Sequence, residues 1–195
     1  MADDAENGAP RPKGRLRIAR WVAVTTLILL VPLVAMQFSD EWNWSLGDFI
    51  VVGALLMSVG VSYELAVRKT GDTAYRAGAG LALAGALILV WVNGAAGITD
   101  SDADALFVLL VVPIGIVGSI IARFQPGGMA RAMFATASAQ ALVGVAALIA
   151  GIVPAYNSPA ETLGLTGFFA MVFVGSALLF RQAAERRPLS ATQGG

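Results

Sequence analysis

The sequence predicts an all-α fold, a bundle of six transmembrane helices with both termini in the cytoplasm, and three observations predict it. Apolar runs stand at 21–38, 49–67, 77–98, 105–122, 132–153 and 163–180. Hydrophobic residues make up 57% of the chain and charged residues 13%, against about 45–50% and 25% in ordinary soluble domains. The thirteen Lys and Arg residues fall at alternate ends of the runs. They group as Arg11, Lys13, Arg15, Arg17 and Arg20; Arg68, Lys69 and Arg76; Arg123 and Arg131; and Arg181, Arg186 and Arg187. The connections between those groups hold Asp40, Glu41, Asp48, Asp100, Asp102, Asp104 and Glu161 and no basic residue. Lys and Arg bias in short loops sets orientation, with the basic side cytoplasmic.

Residues 1–20 are polar, contain Pro and Gly, and end basic; they read as a disordered cytoplasmic tail. The first run, 21–38, exceeds the roughly 7–15 residues of a signal-peptide core and has no small-residue cleavage pattern at Val34-Ala35-Met36. It reads as a retained span. Each run has about 18–22 residues, or roughly 27–33 Å of helix, enough for a bilayer core with modest tilt. Trp21, Tyr63 and Tyr75 mark the inner interface, and Trp42, Trp44, Trp91 and Tyr156 the outer one. Pro32 and Pro113 lie inside runs and are expected to bend them. The membrane domain is 21–181, and 182–195 is a short cytoplasmic tail.

The small-xxx-small pairs Gly78/Ala82, Gly115/Ser119, Gly118/Ala122 and Ala137/Ala141 read first as close helix packing in lipid. A weak internal repeat relates Asp48, Arg68 and Ala74-Tyr75-Arg76-Ala77 to Asp104, Arg123 and Met129-Ala130-Arg131-Ala132. Charge alternation alone produces much of that match.

With no Cys and no His, disulfides, Cys/His zinc sites, thiolate-held iron–sulfur clusters and His-ligated haem are excluded. Nucleophile systems that use His as base fall with them. No cofactor is implied. The basic inner face suits anionic lipid headgroups, and nothing in it argues for nucleic acid.

The stretches SVGVSYELAVRK, TAYRAGAGLAL, VWVNGAAGI and ARFQPGGMARAMFATASAQALVG, with a fainter echo in SALLFRQAAE, resemble a family of small bacterial polytopic integral membrane proteins. The family's segment after its Trp-x-Asn is richer in Asn, Pro and Glu than GITDSDADAL here. The resemblance implies a multi-pass protein of the bacterial cytoplasmic (inner) membrane and carries no assigned activity.

Glu64 is the one acidic side chain inside a predicted span. Ionisable groups there are functional candidates by default. Arg68 lies four residues on, in the favourable order for a helical ion pair, so an interfacial Glu64–Arg68 pair is the first reading and a proton or cation site the second. Gln140 sits near the middle of the fifth run, on a face with Thr136, Gly144, Ala147 and Gly151. Its amide reads as interhelical glue, with a substrate contact as the alternative. Asn93 has the same two readings. Asp100, Asp102 and Asp104 offer hard oxygen ligands for weak divalent-cation binding. The Gly and Glu of an EF-hand loop are missing, and a solvated acidic loop is the plainer reading. ARFQPGGMAR, with Arg123 and Arg131, reads as a tight helix–turn–helix, or as a docking surface for a partner or phospholipid headgroup.

Together these features predict a non-catalytic accessory or interaction component of the membrane, with a membrane-protein partner or a second copy of itself. The alternative is a small transporter or channel using Glu64 and Gln140 in a central path. An enzyme is not expected, because no acid–base pair stands at depth.

Overall fold

A computed structural model of the chain describes residues 12–38, 44–68, 70–94, 107–151 and 158–192. Among them there is no strand. The helices are α1 (Pro12–Ala35), α2 (Leu46–Val67), α3 (Thr73–Gly94), a π-helical turn (Phe107–Val111) running into α4 (Val112–Ile121), α5 (Pro126–Ala150) and α6 (Pro159–Thr192). Five of the described helices are long and apolar enough to cross a membrane, and Val108–Ile121 is a shorter apolar one. That is the helix inventory of a multi-pass membrane protein.

Several helices overrun the apolar runs. α1 begins at Pro12, inside the segment expected as a disordered tail, and α6 continues to Thr192 through the expected C-terminal tail. Arg, Lys, Leu and Ala are strong helix formers, Pro suits a first helical position, and an established helix propagates easily. Hydropathy marks where a helix is apolar, not where it stops. In the fourth run the described residues start with the π turn at Phe107. Pro113 has no N–H, and its ring crowds the carbonyl four residues back. The π turn stands just before that proline, where the α-helical ladder is interrupted.

Hydrogen-bonded caps define three helix starts. The Ser45 N–H donates to Asp48 Oδ2 at 2.7 Å while the Asp48 N–H donates to Ser45 Oγ at 3.2 Å. Ser158 and Glu161 make the same reciprocal box on α6, at 2.8 and 3.2 Å. Asp72 Oδ1 accepts from the Tyr75 N–H at 2.8 Å at the start of α3. α5 ends on Gly151, whose φ of 67° is the left-handed cap.

The chain divides into two compact units, Met1–Val61 and Ser62–Gly195, with the boundary inside α2. In the first, α1 and α2 run antiparallel, Gly53 facing Leu29 and Gly60 facing Trp21. A Cβ on Gly60 would come within 2.6 Å of the indole. In the second unit α6 packs against α5 and α3, α4 packs against α5, and the π turn touches both α3 and α5. α3 and α4 barely touch. The core is built on Tyr75, Leu89, Met133, Phe169, Phe173 and Phe180. An interhelical hydrogen bond crosses it, from Ser176 Oγ to the Gly78 carbonyl at 2.8 Å. Gly78 has no side chain to keep α6 away from that carbonyl.

Candidate functional site

The polar residues of α5 lie on its buried face. Thr136 and Gln140 are each 1% exposed, and Gly144 and Ala147 are buried with them. Gly151, read with the same stripe, is exposed and serves as the helix cap. The face has two neighbours. Thr136 lies against Gly115 of α4, where a Cβ would sit 3.3 Å from the threonine hydroxyl oxygen. Gly144 lies against Thr166 of α6, and any Cβ there would collide with the threonine side chain. Close backbone approach at Gly144 is what allows α6 to seat on this face.

The side-chain donors are turned inward on their own helices. Thr136 Oγ1 donates to the Ala132 carbonyl at 2.9 Å, Ser119 Oγ to Gly115 at 2.7 Å, and Asn93 Nδ2 to Leu89 at 2.7 Å. Such bonds satisfy a hydroxyl or amide in an apolar setting without recruiting a neighbour. Gln140 differs. Its Oε1 is buried and accepts no hydrogen bond, a state that leaves desolvation uncompensated. Glu64 is half-buried, one helical turn beyond Gly60, and engaged in an interaction, while Arg68 is exposed at the end of the same helix. Asp100, Asp102 and Asp104 fall outside the described residues.

The turn between α4 and α5 has unusual geometry. Arg123 and Phe124 have φ of 49° and 58°, where non-glycine residues are uncommon. The Phe124 N–H donates back to Ser119 at 3.3 Å and the Gln125 N–H to Ala122 at 2.9 Å. Tyr75 locks the turn from α3, its hydroxyl donating to the Phe124 carbonyl at 2.7 Å. The Tyr75 ring stacks edge-on against Phe180 at 5.0 Å between centroids. Arg123 and Arg131 are both exposed, and Arg131 Nε donates to the Gly127 carbonyl at 3.4 Å. α5 then starts at Pro126 with no side-chain cap.

The structure also contains a groove that the sequence does not announce. A gap of about 290 Å³ lies between α3 and α4, closed on one side by the end of α2. Small residues open it, namely Ala66, Ala79, Ala82, Ala86, Gly115 and Ser119. Ala82, Gly115 and Ser119 were legible only as members of packing pairs; in the structure Gly78 faces α6 while Ala82 lines empty space. Thr136 reaches the groove floor.

No protein-family model matches the chain, and comparison with curated proteins and with solved structures finds no match.

Proposed function

We propose that the protein is a non-catalytic accessory or interaction component of a bacterial cytoplasmic membrane, crossing it six times with both termini inside. The observation that carries this reading is that the described polar groups at depth are satisfied on their own helices. Thr136, Ser119 and Asn93 each donate to a carbonyl of their own helix, which leaves none of these three donors turned toward a reacting atom. The charge pattern supports the orientation, with every Lys and Arg on one side. α4, preceded by its π turn, serves as the fourth crossing. The partners of such a protein are anionic lipids at the basic face and another membrane protein or a second copy of this chain, with no role for nucleic acid. Purification of the tagged full-length chain in mild detergent, with identification of what accompanies it, is the test. Stoichiometric recovery of one membrane partner or of a homo-oligomer is expected. A lone monomer that transports a solute after reconstitution would overturn the reading.

One observation favours the second reading, a small transporter or channel. The orphaned Oε1 of Gln140 is an acceptor awaiting a donor, and a water or a solute on a path shared with Glu64 would supply one. The chain has no native Cys, so Thr136→Cys and Gln140→Cys report access directly. Rapid reaction of either with a small membrane-impermeant thiol reagent would favour transport, and protection is expected.

A further inference from the structure

The groove between α3 and α4 and the turn that ends it fit a single ligand. Leu65, Ile116 and Ile120 line the groove and are 55%, 55% and 61% exposed, so it opens sideways, away from the core. In hydrocarbon an apolar gap of this kind is filled by chains, because an unfilled one forfeits the dispersion contacts of its walls. From the last residue of the π turn along α4 the lining runs from Val111 to Ile120, roughly 13 Å at 1.5 Å per residue. That is close to one leaflet, half of a hydrocarbon core of about 30 Å. One acyl chain has that reach.

The groove's loop end is basic. Phe124 lines it, and its neighbour Arg123 is exposed. The uncapped start of α5, with Arg131 also exposed, follows within a turn. Basic pockets between helices on the cytoplasmic side suit anionic lipid headgroups, and the positive end of a helix adds to the same field. The Tyr75 hydroxyl fixes the Phe124 carbonyl, so the arrangement is set before any ligand arrives. We infer that this groove holds one acyl chain of an anionic phospholipid, with its phosphate at Arg123. The inference rests on the membrane reading proposed above and names a specific lipid site within it.

Native mass spectrometry of the full-length protein in mild detergent, with equimolar phosphatidylglycerol and phosphatidylcholine added, tests it. One retained phosphatidylglycerol is expected, favoured about fivefold over phosphatidylcholine, the preference one surface arginine confers. Arg123→Gln should abolish the preference while leaving chain retention. Ala82→Phe, and the milder Ala86→Leu should the first fail to fold, should lower retention of both lipids. Equal retention of the two lipids by the wild type, or a preference untouched by Arg123→Gln, would overturn the proposal. So would unchanged retention in both groove-filling variants, or displacement of the lipid by inorganic phosphate alone. Failure of the membrane reading is separate and visible beforehand, as a chain that does not stay with membranes through a carbonate wash.

Discussion

Arg123 and Phe124 stand at positive φ, a region that costs an L-residue about 1–2 kcal/mol. The surrounding contacts must offset that strain, and the Tyr75 hydroxyl is the contact that does so from another helix. Tyr75→Phe should therefore destabilise the detergent-solubilised protein by about 1 kcal/mol, since it removes the donor to a part-buried carbonyl. Arg123→Gly should raise stability by up to about 1 kcal/mol by relieving the strain. Thermal unfolding of the two variants checks both signs. On α5 the residues diverge in the same way. Gly144→Leu forces a side chain into Thr166 and should cost about 3 kcal/mol or more. Gln140→Leu removes an acceptor that already lacks a donor and should be close to neutral. A large loss from Gln140→Leu would mean that the amide is held by a hydrogen-bonded water. None of this was legible beforehand for Tyr75, which reads as an interface aromatic. Its partner lies 49 positions away, and no local pattern announces such a bond. At the turn itself Pro126-Gly127-Gly128 signalled a break between helices; Arg-Phe gives no hint of a left-handed backbone.

Helix ends, at the scale of the element, follow capping chemistry more closely than hydropathy. Asp48 and Glu161 stand out in the sequence as acids on the side opposite the arginines; the structure gives them a second task in the boxes with Ser45 and Ser158. The two roles separate experimentally. Ser158→Ala should cost about 1 kcal/mol by opening the cap of α6, measured by thermal unfolding in detergent. Membrane orientation should not change on Glu161→Ala, because acidic residues contribute little to it. The apolar runs of α2, α3, α5 and α6 were legible because about twenty apolar residues in succession form a strong signal. The π turn before α4 was legible only as a bend at Pro113, since a proline says that the ladder is interrupted but not how.

For the whole molecule, the orientation proposed here makes a sharp demand. Reporter fusions after Asp40, Asp72 and Asp102 should read outside, inside and outside, because every basic residue lies across from the first and third positions. A cytoplasmic signal at Asp102 would remove one pair of crossings. The groove leaves no mark in the sequence for a reason that belongs to this scale. Small residues in a membrane helix mean close approach only if a partner helix arrives, and whether one does depends on topology. Gly78, Gly144 and Gly118 received a neighbour, while Ala82 and Ser119 were left facing a gap.

The contact of Gly144 with Thr166 does more than bring two helices close. Thr166 fills the space that a Cβ at position 144 would take, whereas the positions one helical turn away on the same face of α5, Gln140 and Leu148, carry long side chains. Sliding α6 along α5 by a turn would set Thr166 against one of them, so the pair has a single register. Gly144→Ala should therefore loosen that register as well as lower stability. Paired cysteines placed across the α5–α6 seam should cross-link at one pairing in the wild type and at more than one in the variant.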